Sequence, residues 1–263
     1  MALPFSPPAS LDPAFTISRP TAADIDALAR VYFDSFATDP GNTWWWSPDR
    51  GAMFEWLHAR VLKKMSDRGV RHFQIVDGGG DGGGSSGGRG HELVAFARWD
   101  IPKGYEDRFG AWLDPVGGNG GGGGGAAAVV ETADGAEEPK ATVATAPVPR
   151  GADMELCQYF FTKLAGFSKR WNADEMLGLS LLCTSPKYFR RGAAMALLAP
   201  MLAIADAAGL RSYLEATPAG RPLYEKLGFR AVETHLFDPA PITGGRVQGG
   251  SAITIMIRDP QPL

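Results

Sequence analysis

Apolar residues recur along the chain with two spacings, one of three to four positions and one of two positions. The first spacing is typical of helices with one buried face and predicts helices over residues 21–37, 50–69, 153–169, 192–208 and 221–227. Alternating or continuous apolar runs predict strands over residues 15–20, 72–77, 92–101, 175–186, 211–216, 229–236 and 251–258. Helices cluster early, and strands alternate with helices later. This order predicts one α/β domain with α+β character rather than two domains.

Two low-complexity stretches interrupt this order, at residues 78–90 and at about 115–151. Both are rich in glycine, and the second ends in an Ala/Pro/Glu tail. Neither can bury enough apolar surface to offset the entropy lost on ordering, so we predict disordered insertions at loops. Residues 1–13 are rich in proline and predict a flexible tail. The domain is therefore expected to span residues 14–258.

Composition and charge narrow the class of protein. The chain has 263 residues, of which 44% are hydrophobic, and a net charge of −3, which favours neither a nucleic-acid nor a membrane-surface partner. No segment reads as a signal peptide or a bilayer span. Two cysteines without CxxC spacing and four scattered histidines predict no disulfide framework and no metal site. We therefore expect a cytoplasmic protein without a metal, a nucleic-acid partner or a membrane partner.

The helix predicted from Gly192 begins without a cap. Helices usually start on Ser, Thr, Asp or Asn with acidic residues in the first turn, whereas this one follows Arg190 and Arg191. Cations at the positive end of a helix dipole are unfavourable unless an anion lies there. Gly192, Ala193 and Ala194 would let a phosphate approach the backbone amides closely. The pattern predicts a diphosphate site, and the alternative is a pair of solvated surface arginines.

Residues 175–236 resemble the acyl-CoA-binding half of the GCN5-related N-acetyltransferase (GNAT) family. FRRGAA (residues 189–194) corresponds to the family pattern Q/R-x-x-G-x-G/A, and LYEKLGF (residues 223–229) to L-Y-x-K-x-G-F. Phe189 departs from the Gln or Arg of the family, and Thr217 from a frequent Asn. The resemblance implies the GNAT-like acyl-CoA N-acyltransferase fold, in which a central, mostly antiparallel sheet has helices on both faces. It also implies acetyl-CoA as co-substrate.

The resemblance implies roles for several residues. The strand before the helix start would splay from its neighbour, and its backbone would bind the pantetheine arm and polarise the thioester carbonyl. Tyr224 would act as general acid for the leaving thiolate, whereas a core aromatic is the alternative from spacing alone. The residues expected to bind the cofactor are Leu182, Cys183, Thr184, Arg190, Arg191, Gly192, Ala193, Ala194 and Thr217.

The general base is predicted with less support than the acid. Glu215 lies near the end of the strand at 211–216, close to where a substrate amine should enter, and could accept a proton directly or through water. A surface carboxylate or a salt-bridge partner is the alternative. Glu155 and Glu175 are weaker candidates.

Three consecutive tryptophans lie in the loop that shapes the acceptor pocket in this family. They suit an aromatic or apolar acceptor, or a polyamine held by cation–π contacts. The alternative is that at least one of them is a core residue and the others cover the edge of the domain. They are Trp44, Trp45 and Trp46.

These features predict an acetyltransferase that moves the acetyl group of acetyl-CoA to an amine of a small molecule, by direct attack in a ternary complex. One alternative is a non-catalytic acyl-CoA-binding or scaffold module, which Phe189 and the undetermined base leave open. Another is acetylation of protein N-termini or lysines, which needs an open groove in place of an enclosed pocket.

Overall fold

The computed structural model describes residues 2–78, 92–114 and 148–262, so the two predicted insertions lie almost entirely outside the described residues. The strands are β1 (Phe15–Ser18), β2 (Val70–Asp77), β3 (Glu92–Asp100), β4 (Leu177–Thr184), β5 (Ser212–Ala216), β6 (Arg230–Phe237) and β7 (Ser251–Arg258). The helices are α1 (Ile25–Phe36), α2 (Pro40–Thr43), α3 (Arg50–Met65), α4 (Met154–Arg170), α5 (Ala193–Ala207) and α6 (Arg221–Lys226).

The strands form one sheet in the order β1-β2-β3-β4-β5-β7-β6. Every neighbouring pair is antiparallel except β4 and β5, which run parallel. The alternating segments around residues 70–100 form the expected hairpin, with Val70 opposite Asp100 and Asp77 opposite Glu92. The predicted mixed, mostly antiparallel sheet is confirmed.

Helices cover both faces of the sheet, as predicted. α5 buries Leu197 and Met201 in a cluster that includes Ala95 and Ala97 of β3. The intervening Phe96 points to the opposite face and packs with α1 and α3. α4 extends that second layer over β5 and β7. The alternation of β3 therefore separates the two layers of core.

The starts of two early helices show how local sequence fixes this layer. Thr21 begins a 3₁₀ turn that leads into α1, and its backbone N–H and hydroxyl both donate to Asp24, at 2.7 and 2.9 Å. Thr21 followed by Asp24 three residues later is the sequence pattern of a capping box. The loop at residues 38–49 also contains α2, which was not predicted. Asp39 caps it by accepting from the Gly41 N–H at 2.7 Å, and Pro40 occupies its first position.

A buried ion pair fastens the end of α5 to β7. The guanidinium of Arg258 donates to both carboxylate oxygens of Asp206, at 2.5 and 2.8 Å, and its Nε donates to the Leu227 carbonyl at 2.7 Å. Burial tends to raise the pKa of Asp206, but the hydrogen bonds from Arg258 and from the Gln261 N–H, together with the charge of Arg258, outweigh it and the pKa is lowered. The pair therefore fixes α5, whose other end contributes to the site described next.

Candidate active site

β4 and β5 diverge in the middle of the sheet. They pair only from Leu177–Leu179 to Ser212–Leu214, and beyond this point β4 continues to Thr184 beside β3 alone. Ser180 is an extra residue in β4, because Arg98 and Trp99 of β3 face Leu181 and Leu179. This bulge lies where the strands part. The gap exposes backbone N–H and C=O groups of β4 that no strand covers.

A cavity of about 970 Å³ occupies this gap. One end lies between β4, the start of α5 and α6. The other end lies between α1, α2, α3 and α4. Of the predicted residues, the cavity wall includes Leu182, Thr184, Arg190, Gly192, Ala193, Ala194, Glu215, Thr217, Tyr224 and Trp45.

The start of α5 has the geometry of an anion site. Gly192 caps the helix with a left-handed φ of 82° and no side chain, and the Ala196 N–H makes the first intrahelical bond to its carbonyl at 3.0 Å. The amides of Ala193, Ala194 and Met195 therefore have no acceptor within the helix. A Cβ on Gly192 would meet no atom within 4 Å. Glycine is therefore required here by the backbone conformation and not by a lack of space for a side chain.

The two arginines before Gly192 have different surroundings. Arg190, with a φ of 64°, lies in the cavity wall beside the exposed Phe189. Arg191 instead pairs with Asp12 at 2.6 Å, and its guanidinium lies 4.6 Å from the ring centroid of Phe15. The structure thus brings Arg190 to the cavity but engages Arg191 with the N-terminal segment. The expectation that both side chains face one anion is not met.

Cys183 differs from its neighbours on β4. Leu182 and Thr184 lie in the cavity wall, whereas the Cys183 side chain packs with Leu28 and Leu181 under α1. Burial raises the pKa of its thiol, so the thiolate is not formed near neutral pH. The side chain is a small core residue, and the backbone of this stretch remains available at the gap.

Tyr224 reaches the cavity from α6 with its ring beneath Gly220, where a Cβ would approach the Tyr224 Cε2 to 3.0 Å. Thr217 lies at the start of this turn and accepts from the Gly220 N–H at 3.3 Å. Burial, with a smaller contribution from Cys183, raises the pKa of the Tyr224 phenol. Within the described part of the chain, nothing accepts a hydrogen bond from this hydroxyl. It is protonated and free to donate.

Glu215 enters the cavity from β5, where its carboxylate accepts from the Tyr213 hydroxyl at 2.9 Å. Burial raises the pKa of Glu215 to about 7, Asp100 adds to this shift and the bond from Tyr213 opposes it. A carboxyl with this pKa exchanges protons near neutral pH, as a general base requires. Glu155 and Glu175 are exposed and lie outside the cavity wall.

The three tryptophans divide between core and cavity. Trp45 is 4% exposed, stacks on Phe160 with ring centroids 5.1 Å apart, and lies in the cavity wall. Trp44 donates from its indole N–H to the Ser251 hydroxyl at 3.1 Å, and Trp46 packs on Phe33. Trp45 therefore belongs to the core, Trp44 and Trp46 are half-buried and pack against it, and only Trp45 of the three also lies in the cavity wall.

Two cavity residues were missed by sequence reasoning, Arg60 of α3 and Arg98 of β3. Arg98 is 4% exposed and donates from Nε to the Ser180 hydroxyl at 2.9 Å and from Nη2 to the Ser180 carbonyl at 3.2 Å. The signal was present, since a charged residue sits within the apolar run LVAFARW. Charged residues are almost never buried without a partner, which makes this position unusual.

Residues 151–238 match the family model of the acetyltransferase (GNAT) domain. The matched range contains β4, α5, β5 and α6, and thus the start of α5, Glu215 and Tyr224. No curated protein matches the chain. The match confirms, for residues 151–238, the family resemblance seen in the sequence and the expected N-acetyltransferase domain.

Several solved structures share the fold. One, from Corynebacterium glutamicum, is described as histone acetyltransferase HPA2 and related acetyltransferase; it is 20% identical, with 95% of this chain and 98% of that chain covered and a TM-score of 0.52. A putative arylalkylamine N-acetyltransferase 7 from the mosquito Aedes aegypti is 16% identical over 94% and 88%, with a TM-score of 0.54. A polyamine N-acetyltransferase from Drosophila melanogaster, which forms N-acetylagmatine, is 12% identical over 93% and 99%, with a TM-score of 0.50.

Neither a membrane-spanning helix nor a cluster of metal-ligating side chains is present among the described residues. None of the described helices is both long enough and apolar enough to cross a membrane. Among residues 2–78, 92–114 and 148–262, no three His, Cys, Asp or Glu side chains come together as ligands for a metal ion.

Proposed function

Because the chain carries a GNAT acetyltransferase domain over residues 151–238, we propose that it transfers the acetyl group of acetyl-CoA to an amine of a small-molecule acceptor, by direct attack in a ternary complex. One observation carries this proposal: a single cavity is lined by the start of α5, whose first backbone amides have no acceptor within the helix, and also by Glu215 and Tyr224. An anion site, a carboxylate and a phenol are the groups that fixing a phosphorylated donor and moving two protons require.

The residues at one end of the cavity fit acetyl-CoA. The free amides of Ala193 and Ala194, beside Arg190, suit a diphosphate because amide dipoles and a cation both attract it. The uncovered edge of β4 at Leu182 and Thr184 suits the amide groups of the pantetheine arm, which can add to the strand as a further strand would. When bound, acetyl-CoA supplies an activated thioester.

Three groups of the chain would carry the chemistry. Glu215 accepts the proton of the attacking amine, directly or through water. Backbone N–H groups at the open edge of β4 donate to the oxygen that becomes negative during attack. Tyr224 donates its proton to the departing sulfur. Burial keeps the proton on Tyr224 near neutral pH, by raising the pKa of the phenol. Because an ordinary thiol has a pKa of about 8.5 and a phenol one of about 10, the transfer runs against a pKa difference, which the burial of Tyr224 widens.

A small acceptor is favoured over a protein tail because the other end of the cavity is walled by large side chains. Trp45 stacks on Phe160 there, and Phe161 meets both rings edge-on. Tyr32 and Phe36 of α1 also belong to the cavity wall. Such walls enclose a small molecule and leave little room for a peptide that passes through. We place the reaction in the cytoplasm, where acetyl-CoA is formed and where the free thiols of Cys157 and Cys183 stay reduced.

Calorimetric titration of acetyl-CoA, followed by release of CoA with a panel of amines, tests the proposal. We expect micromolar binding that Arg190→Glu weakens at least tenfold. Tyr224→Phe should keep this affinity and lose about 10²-fold in kcat, whereas Tyr105→Phe, far from the cavity, should behave as wild type. A non-catalytic acyl-CoA-binding module would bind without turnover in every protein tested. Acetylation of peptides but of no small amine would place the acceptor among proteins.

A further inference from the structure

Two cations in the cavity wall have no part in the proposed acetyl transfer: Arg60, which projects from α3, and Arg98, which projects from β3. Arg98 is 4% exposed, and Arg60 is partly buried, with its Nε shielded from solvent. Burial lowers the pKa of Arg60, and the positive charge of Arg98 lowers it further. Two like charges near each other, away from water, are costly unless an anion joins them.

The hydrogen-bonding capacity of these guanidinium groups is only partly used. Among the described residues, Arg98 donates only to Ser180, through Nε and Nη2, although a guanidinium carries five N–H donors. The Cζ of Arg60 lies 5.1 Å from the ring centroid of Trp56 and 5.1 Å from that of Phe161. The Tyr32 hydroxyl is within hydrogen-bonding reach of the Arg60 guanidinium. Its Nε is buried and has no hydrogen-bond partner among the described residues.

Of the carboxylates near this end, Asp39 and Glu215 lie in the cavity wall and Asp100 lies outside it. None is within ion-pair distance of either guanidinium in the part of the chain that the structure describes. Asp39 accepts from the Gly41 N–H. Glu215 accepts from the Tyr213 hydroxyl. Asp100 contributes a weak attraction to Arg60 and one buried oxygen, Oδ1, without a partner. The acceptor end thus presents separated charges of both signs.

We propose that the acceptor is an amine that also carries a carboxylate, as an amino acid does, with the carboxylate bound by Arg60 and Arg98 and the amine directed to Glu215. This inference rests on the proposed function. The planar guanidinium fork matches a carboxylate better than any other protein group does. Trp45 and Phe160 form an apolar wall beside these groups, which favours an aromatic or large apolar side chain on the acceptor.

The same residues disfavour polyamines, one of the acceptors suggested by the sequence. The faces of Trp56 and Phe161 that lie against Arg60 are already covered by its guanidinium, so they cannot also bind an ammonium group. Arg60 and Arg98 would in addition repel a polycation. A bare arylalkylamine would fit the apolar wall but would leave both cations unpaired.

Matched acceptors test the proposal by CoA release at saturating acetyl-CoA. Phenylalanine, phenethylamine and phenylalaninamide share the ring and the amine, and only the first carries a carboxylate. Phenylalaninamide controls for the acidity of the amine, which the neighbouring carbonyl group changes. The same set is run with tryptophan and tryptamine, and the remaining common amino acids are compared with their decarboxylated amines. We expect kcat/KM for the carboxylate-bearing member to exceed that of its partners about 10²-fold, in the range of a charged hydrogen-bonded pair.

Variants of Arg60 connect this preference to the cavity. Arg60→Gln should lower the preference for the carboxylate at least tenfold, through KM, and leave the affinity for acetyl-CoA unchanged. Arg60→Lys, which keeps the charge but not the fork, should retain part of the preference. Arg211→Gln, an exposed position outside the cavity, is the matched control. Unchanged acetyl-CoA binding in each variant shows that the protein is folded.

The outcomes separate this inference from the proposed function. Acetylation of bare amines or of amino-acid amides as efficiently as of amino acids overturns the inference and leaves the acetyltransferase intact. An unchanged preference in Arg60→Gln also overturns it. If acetyl-CoA binds and no member of the panel is acetylated, both proposals fail.

Discussion

Replacement of Glu215 by Gln is the sharpest test of the chemistry proposed for the cavity. The substitution keeps the size of the side chain and its ability to accept from the Tyr213 hydroxyl, which lies 2.9 Å from the carboxylate. It removes the group that can hold a proton. Any loss of activity therefore reports on proton transfer rather than on packing.

The structure sets both the size and the pH range of the effect. A positioned general base contributes about 10²- to 10⁴-fold, so kcat/KM of Glu215→Gln at pH 8 should fall by about that factor. Since burial raises the pKa of Glu215 to about 7, the neutral and useless form dominates at lower pH. Wild-type kcat/KM, expressed per neutral amine, should therefore drop about tenfold for each pH unit below 7. An unperturbed glutamate, with a pKa of about 4.3, would give no such limb between pH 5 and 8.

The assay is CoA release from pH 5 to 9 at saturating acetyl-CoA, with the best acceptor of the panel. The amine itself must also lose a proton, which gives kcat/KM a second dependence on pH. This second dependence belongs to the substrate and should persist in the variant. Glu55→Gln, an exposed position on α3, serves as the matched control and should reproduce the wild-type profile. If Glu215→Gln retains half of the activity or keeps the limb near pH 7, Glu215 is not the base.

Three further predictions concern the frame of the site. Asp206→Ala should destabilise the protein by about 3–5 kcal/mol, measured by urea unfolding, because it leaves the buried charge of Arg258 unpaired. Gly192→Ala should cost roughly 1–2 kcal/mol and weaken acetyl-CoA binding, since an L-residue resists the φ of 82°; unaltered calorimetric affinity would contradict the role of this turn. The Cys183 thiol, whose pKa burial raises, should resist iodoacetamide at pH 7.5 until denaturant is added, as mass spectrometry can show.

Local sequence rules predicted those parts of the molecule that depend on local physics. The cap of Thr21 and Asp24 needs two residues of one turn, and the structure forms it as expected. The helix from Gly192 has a strong period and begins on the residue predicted. α2 was missed because its four residues are too few to show a period, although Asp39 and Pro40 are a helix-start signal.

Local sequence rules could not predict contacts between residues that are distant along the chain. The approach of Arg191 to Asp12 depends on where the N-terminal segment crosses the turn before α5, which no spacing within that turn reveals. Trp44, Trp45 and Trp46 look alike as a motif, and which of them reaches the cavity depends on how the loop meets α4 and β7. The family resemblance predicted the gap between β4 and β5, which composition and periodicity alone could not.

In the proposed reaction, the two substrates are bound by two different kinds of protein group. This difference affects how much the family match reveals about the acceptor. The donor end of the cavity consists mainly of backbone: the amides of Ala193 and Ala194 and the open edge of β4. Backbone sites tolerate a wide choice of side chains, so a family can keep one cofactor while its sequences diverge. The acceptor end is made of side chains, and Trp45, Arg60 and Arg98 all lie outside residues 151–238, the range that matches the family. Phe160 and Phe161 line the same end from within that range. The choice of acceptor should therefore depend in part on residues that the family match does not cover, and substitutions at Trp45, Arg60 or Arg98 should change the amine that is used without loss of acetyl-CoA binding.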